Sequence, residues 1–128
     1  MAAGTATKTE TVKAVSVKQI KWVWLSGTAA APADLGGVTS ATTAVLNGEI
    51  ISVTQIPGGT TPTNLYDVTI TDANSVDVLA GLGANLSNAA TTIHTKPDGL
   101  GAVVNSALTL NVSNAGSAKT GTTIITLR

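Results

Sequence analysis

The 128-residue sequence lacks cysteine and contains a single histidine, His94. Without cysteine no disulfide framework can form, and zinc sites, which draw several ligands from Cys and His, are all but excluded. No G-x-S-x-G segment offers a serine nucleophile, and His94 lies in a threonine-rich segment where we interpret it as an ordinary exposed or half-buried residue. The sequence therefore predicts a protein that is not an enzyme and that binds no cofactor and no metal.

Charge and aromatic residues are also scarce. Charged residues make up 11% of the sequence, seven Lys and Arg balance seven Asp and Glu, and aromatic residues make up 2%. Nucleic-acid binding would need a positive patch with stacking aromatics, so nucleic acid is not an expected partner. Because near-zero net charge promotes contact between molecules, we expect other protein surfaces as partners. A monomer kept soluble by its hydroxyl groups is the alternative.

Long hydrophobic runs are missing as well. No apolar run approaches the ~18 residues that a membrane span requires, and the N-terminal stretch MAAGTATKTE has no hydrophobic core like that of a signal peptide. We therefore expect neither membrane association nor a secretory route. The first eleven residues offer almost nothing to bury and cannot offset the entropy of ordering. The sequence predicts a flexible N-terminal arm over residues 1–11 and a single β domain over residues 12–128.

The stretch that follows the arm combines lysines with two tryptophans. Apolar residues occupy odd positions up to Val17 and even positions from Ile20 onward, so a β-bulge or a change of sheet is predicted near Lys18. The lysines either protect an edge strand from aggregation or form a basic arm that docks on an acidic protein surface. The tryptophans are anchors of either the core or an interface. The candidate interface residues are Lys8, Lys13, Lys18, Lys21, Trp22 and Trp24.

The clearest strand–turn–strand signal lies between Tyr66 and Asn85. Apolar residues alternate with polar ones in its first half, at Tyr66, Val68 and Ile70. A three-residue loop over residues 72–74, closed by Asn74 in the left-handed conformation, would set Ile70 opposite Val76. Asp and Asn at this turn are also the nearest approach to a calcium site, but turns prefer these residues and the spacing is not that of an EF-hand. We therefore predict a hairpin.

Further hairpins are predicted on both sides of this one. Asn47-Gly48 between two apolar runs is the strongest two-residue hairpin signal. Near the C-terminus, an eight-residue loop over 114–121 would align Leu110 with Ile125. The Ala-, Gly- and Thr-rich tract over residues 26–43 shows no period and predicts a long loop. The fold class is therefore predicted as all-β, an antiparallel β-sandwich or small barrel built from hairpins.

Several of these segments resemble small virion structural proteins of tailed bacteriophages, and the resemblance covers most of the chain from about Lys18 onward. They are Lys21–Trp24, Tyr66–Asp72, Val76–Gly81, Leu108–Val112, Asn114–Gly116 and Lys119–Gly121. Among such proteins a head decoration, or cement, protein fits best, since these are short, all-β, cysteine-free and commonly trimeric.

The resemblance implies a place and a set of partners. A decoration protein would lie on the capsid surface of the virion after synthesis in the cytoplasm of the bacterial host. It would stabilise the head shell by bridging capsid subunits, with the major capsid protein or another virion protein as partner and a homo-oligomer, a trimer, as its own state. A tail, head-fibre or connector component is the alternative within the virion. An Ig-like adhesin or carbohydrate-binding module is the alternative outside it.

Overall fold

The computed structural model describes residues 4–14, 17–27, 38–40, 43 and 45–128. Over these residues the chain forms antiparallel strands and one 3₁₀ turn, and no α-helix. The strands are β1 (Thr5–Ala14), β2 (Val17–Leu25), β3 (Val38–Ser40), β4 (Leu46–Pro57), β5 (Asp67–Thr71), β6 (Thr92–Thr95), β7 (Ala102–Ser106), β8 (Thr109–Ser113) and β9 (Thr120–Leu127). The predicted all-β, antiparallel fold class is confirmed.

Two sheets form a sandwich. The large sheet has the strand order β1-β2-β9-β4-β6, with β7 also paired to β4, and the small sheet has the order β3-β8-β5. Period-two alternation turns the apolar residues of both sheets toward one shared core. Its largest fully buried side chains include Trp22, Trp24, Tyr66, Ile50, Ile70, Leu110 and Ile125. Burying each aliphatic side chain of this size stabilises the fold by roughly 1.5–3 kcal/mol.

The N-terminal segment is a strand, which corrects the predicted flexible arm. Residues Thr5 to Thr11 belong to β1, and β1 pairs with β2 along its length, from Thr5 opposite Leu25 to Thr11 opposite Gln19. Ala6 packs against the core. The segment buries little by itself, but the neighbouring strand supplies hydrogen bonds that its composition could not reveal. Residues 1–3 of the predicted arm lie outside the described residues.

The chain reverses before the predicted change of phase, which falls inside β2. β1 ends at Ala14, β2 begins at Val17, and these two residues are paired. A register shift between Val12 and Ala14 adds an irregularity in β1. The expected bulge or change of sheet near Lys18 is therefore replaced by two antiparallel neighbours in one sheet. Both strands turn even-numbered residues inward, since Ala6 of β1 lies opposite the buried Trp24 of β2.

The loop after β5 differs from the predicted three-residue turn. Thr71 pairs with Asp77, and the Val78 N–H donates to the Ile70 carbonyl over 2.8 Å, so Val78 and not Val76 continues the inward pattern. Five residues, 72–76, form the loop, and Ser75, not Asn74, has the positive φ of 63°. Carboxylates that accept backbone N–H groups make this longer loop stable, as described below.

The Asn47-Gly48 signal was wrong as a hairpin. Both residues lie inside β4, and Gly48 has a φ of 144° where the pairing with β7 shifts register. A Cβ at Gly48 would lie 2.9 Å from the Arg128 carbonyl oxygen. The glycine therefore permits a close approach of the C-terminal backbone, which exchanges two hydrogen bonds with Glu49.

For the predicted C-terminal hairpin, the inward-facing residues are correct, but the two strands do not pair with each other. Leu110 in β8 and Ile125 in β9 both point into the core, but β8 pairs with β3 and β5, whereas β9 pairs with β2 and β4. The segment between them crosses from the small sheet to the large one. In the predicted loop over 26–43, residues 38–40 form β3, and residues 28–37 and 41–42 lie outside the described residues.

Candidate protein interface

The outer face of the large sheet is rich in threonine and aliphatic side chains. The strand register places on it Thr5, Thr7, Thr9 and Thr11 of β1, Gln19, Lys21, Val23 and Leu25 of β2, Thr120, Thr122, Ile124 and Thr126 of β9, Ser52, Thr54 and Ile56 of β4, and Ile93 and Thr95 of β6. We call this set the outer face. Threonine and β-branched aliphatic residues favour an extended backbone, so the composition that builds these strands also gives the face its chemistry.

Three of the seven large apolar side chains that are exposed in the described part of the chain lie on this face. Val23 is 47% exposed, Leu25 is 44% exposed and Ile93 is 62% exposed. Ile124 lies between Lys21 of β2 and Thr54 of β4, and Thr54 lies opposite Ile93 of β6, so one row of the face contains two aliphatic side chains. Isolated exposed aliphatic residues are normal, but a group on one sheet face suggests a contact surface.

The size and charge of the outer face suit a protein partner. Five strands spaced about 4.8 Å apart give a width of roughly 24 Å. Four rows of outer side chains on β1, β2 and β9 give a similar length, whereas β4 and β6 carry fewer rows. The flat footprint is therefore roughly 600 Å², close to the ~800 Å² that each partner buries in a standard interface. Of the residues assigned to this face, Lys21 is charged and the rest are neutral. A partner would have little charge to desolvate here.

The predicted interface residues are divided between the outer face, the inner side of the same sheet, where Lys18 lies opposite Leu127, and the core. Lys18 and Lys21 are exposed on β2, and Lys21 belongs to the outer face. Lys8 points to the inner side of the edge strand β1, where its Nζ lies 2.8 Å from the Glu10 carboxylate. Lys13 is in β1, but its side chain lies outside the described residues.

The two tryptophans belong to the core, which removes them from the contact surface of a folded chain. Trp22 and Trp24 are 0% and 1% exposed. Trp24 packs against Tyr66, with ring centroids 5.8 Å apart, and its indole lies over Gly121, where an added Cβ would come within 2.2 Å of the ring. The glycine at the second position of β9 is therefore the sequence signal that an aromatic ring packs over the strand there.

The acidic residues nearest the small sheet are bound to backbone groups. The Asp77 carboxylate accepts hydrogen bonds from the N–H groups of Ile70, Leu79 and Gly81 over 3.0–3.2 Å. Asp72 Oδ1 accepts from the N–H groups of Asn74 and Val76. These contacts explain why Asp residues are frequent here. Their side-chain oxygens accept the backbone hydrogen bonds that a paired β-strand would otherwise accept.

The single histidine has a contact with a carboxylate but not the arrangement of a catalytic relay. His94 Nδ1 lies 3.8 Å from Asp98 Oδ2, and the same oxygen accepts a hydrogen bond from the Thr95 N–H over 2.8 Å. Asp98 thereby caps the 3₁₀ turn over Lys96–Asp98. A relay would need a hydroxyl bonded to the histidine, whereas Thr95 contacts the carboxylate. Within the described part of the chain, no three His, Asp or Glu side chains group as metal ligands, and no helix could cross a membrane.

Comparison with known proteins identifies no family for the chain. No protein-family model matches the sequence, and no curated protein matches it. Among solved structures, the chain is similar to a cupin domain from Bordetella pertussis Tohama I, with 12% sequence identity and a TM-score of 0.40 over 100% of this chain and 98% of that chain.

Proposed function

We propose that the chain is a non-enzymatic virion structural protein of tailed bacteriophages, a decoration or cement protein that contacts the head shell through the outer face of the large sheet. The resemblance of its sequence segments supports the virion context. The observation that carries the contact surface is the grouping of Val23, Leu25 and Ile93, all exposed, on a face whose assigned residues include one charge.

The mechanism is stabilisation by bridging. A protein that binds the assembled shell and not its separated subunits shifts the equilibrium toward the assembled form. Several copies in a closed ring, a trimer as the resemblance implies, would present the same face several times. Each single contact can then be weak, because the effective concentration of the remaining copies makes the whole attachment strong.

The chemistry of the face favours such a contact over catalysis or ligand capture. Threonine methyl groups and the aliphatic side chains supply apolar area, and threonine hydroxyls can bond to polar groups at the rim. Lys21 lies among neutral neighbours and would pair with an acidic side chain of the shell. Such a charge pair contributes to orientation and to the rate of encounter more than to affinity.

Phage particles that lack the chain test the proposal when the purified protein is added back at a series of concentrations. The wild-type chain is expected to bind heads and to raise the temperature at which they release DNA. Val23→Glu places a charge in the contact and is expected to weaken binding by about tenfold or more, the effect of losing a central apolar contact. His94→Ala is expected to bind like the wild type.

Val76→Glu is the matched control, because Val76 is 55% exposed but lies in the loop after β5, away from the outer face. It should bind like the wild type. Equal binding by the Val23 and Val76 variants would place the contact elsewhere on the chain. Attachment to tails or connectors and not to heads would replace the decoration role with the alternative virion role, and no attachment to any particle would contradict the proposal.

A further inference from the structure

The first strand forms an edge of the large sheet. β1 is ten residues long and pairs with β2 on one side, and no other described strand pairs with it. A long edge strand presents N–H and C=O groups that can pair with another chain. β1 carries two charged side chains on its inner side, Lys8 and Glu10, and these restrict the registers in which such pairing can occur.

The side chains of β1 alternate between threonines on the outer face and small or charged residues on the inner side. Thr5, Thr7, Thr9 and Thr11 lie on the outer face, opposite exposed residues of β2. Ala6, Lys8 and Glu10 lie on the inner side, opposite the buried residues Trp24, Trp22 and Ile20. Residues directly opposed in an antiparallel pair share one face of the sheet. A second copy of β1 added to this edge must therefore align even-numbered residues with even-numbered residues.

Near the centre of β1, three registers satisfy this rule, and they differ in which charged side chains lie opposite each other. A two-fold axis at Lys8 would oppose Lys8 with its own copy, and an axis at Glu10 would oppose Glu10 with its own copy. An axis at Thr9 opposes each Lys8 with a Glu10 of the other chain. Like charges directly opposed are unfavourable and opposite charges are favourable, so one register is selected.

We propose that β1 pairs with β1 of a second copy of this chain, antiparallel and about a two-fold axis at Thr9, so that two large sheets join into one continuous sheet. The two charges permit this register and disfavour its neighbours, while the zero net charge of the chain allows copies to approach. The inference does not rest on the proposed function, and a two-fold contact can join two single chains or two trimers.

The absence of cysteine from the sequence allows a direct test of register. Thr9→Cys should form a disulfide-linked dimer under mild oxidation, since directly opposed Cα atoms of antiparallel strands lie within disulfide range. Thr7→Cys alone and Thr11→Cys alone should cross-link slowly, because each faces the other position. An equimolar mixture of these two variants should cross-link efficiently. Thr61→Cys is the control, because Thr61 is exposed and lies outside β1, and its cross-linking rate gives the rate of random collision.

The charge rule is tested in the Thr9→Cys background. Glu10→Lys opposes lysine with lysine twice and should slow cross-linking by about tenfold, and adding Lys8→Glu should restore it. Circular dichroism and urea unfolding check that each variant folds. Cross-linking of Thr9→Cys at the rate of the Thr61 control would overturn the proposal. So would equal rates for the three β1 cysteines taken singly, or a failure of the charge exchange to restore the rate.

Discussion

The outer faces of the two sheets use similar small polar residues in different ways. On the small sheet, Asn111 Nδ2 donates to Thr71 Oγ1 over 3.1 Å, and Asn114 Nδ2 donates to Asp67 Oδ2 over 2.6 Å. On the large sheet, threonines surround aliphatic residues that are exposed, such as Val23. The first face commits its polar groups to holding strands and loops together. The second presents apolar area in neutral surroundings, which is what a protein partner can bury.

The largest effect is expected inside the sandwich, where the small sheet meets the core. Ile70 is 0% exposed, and Ile70→Ala should lower the free energy of unfolding by roughly 2–5 kcal/mol through lost burial and a cavity. Thr69→Ala, on the outer face of the same strand, should cost far less. Urea unfolding of both variants measures the difference. Equal losses would show that this outer face is also buried, as it would be in an oligomer.

The next effect concerns the bound carboxylates beside the small sheet. Asp77→Ala removes a charged acceptor from three backbone N–H groups, two of them in part-buried hydrogen bonds. It should lower the free energy of unfolding by roughly 2–3 kcal/mol, since hydrogen bonds to a charged group are strong and unsatisfied donors are costly where water is excluded. Asp77→Asn keeps one acceptor oxygen and should cost less. Chemical denaturation again measures both. A negligible loss in Asp77→Ala would mean that water replaces the carboxylate and that these polar contacts do not stabilise the loop.

The smallest effect on stability is expected on the large sheet. Val23→Thr keeps the branched shape and the β-propensity of valine on a 47% exposed side chain, so the free energy of unfolding should change by less than about 0.5 kcal/mol. The same substitution should reduce attachment to phage particles, because it removes apolar area from the contact. A large loss of stability without any loss of attachment would show that Val23 stabilises the fold and does not contact the particle.

The inward and outward positions of residues along each strand could be predicted from the sequence, but which strands pair with each other could not. The inward positions of Leu110 and Ile125 follow from period-two patterns, because each strand sets its own two faces. Which strands pair depends on how the segment after β8 crosses between sheets, and no local signal records that path. The Asn47-Gly48 signal failed for the same reason, since the approach of the C-terminal backbone decides the role of Gly48.

The candidate interface was only partly predictable. β2 carries apolar residues on both of its faces, with Trp22 and Trp24 at even positions and Val23 and Leu25 at odd ones. Size alone favours tryptophan as an interface anchor, whereas the structure buries the tryptophans and exposes the smaller residues. The signal that was available is the double apolar pattern itself, which indicates a strand with a covered face on one side and a contact face on the other.

The central claim is that the outer face of the large sheet is the contact surface, and hydroxyl-radical footprinting of the chain bound to phage heads tests it most directly. Val23, Leu25 and Ile93, exposed in the free chain, should become protected, while Leu65 and Val76, exposed near the small sheet, should react as before. Protection of Leu65 and Val76, with Val23, Leu25 and Ile93 still reactive, would contradict the account.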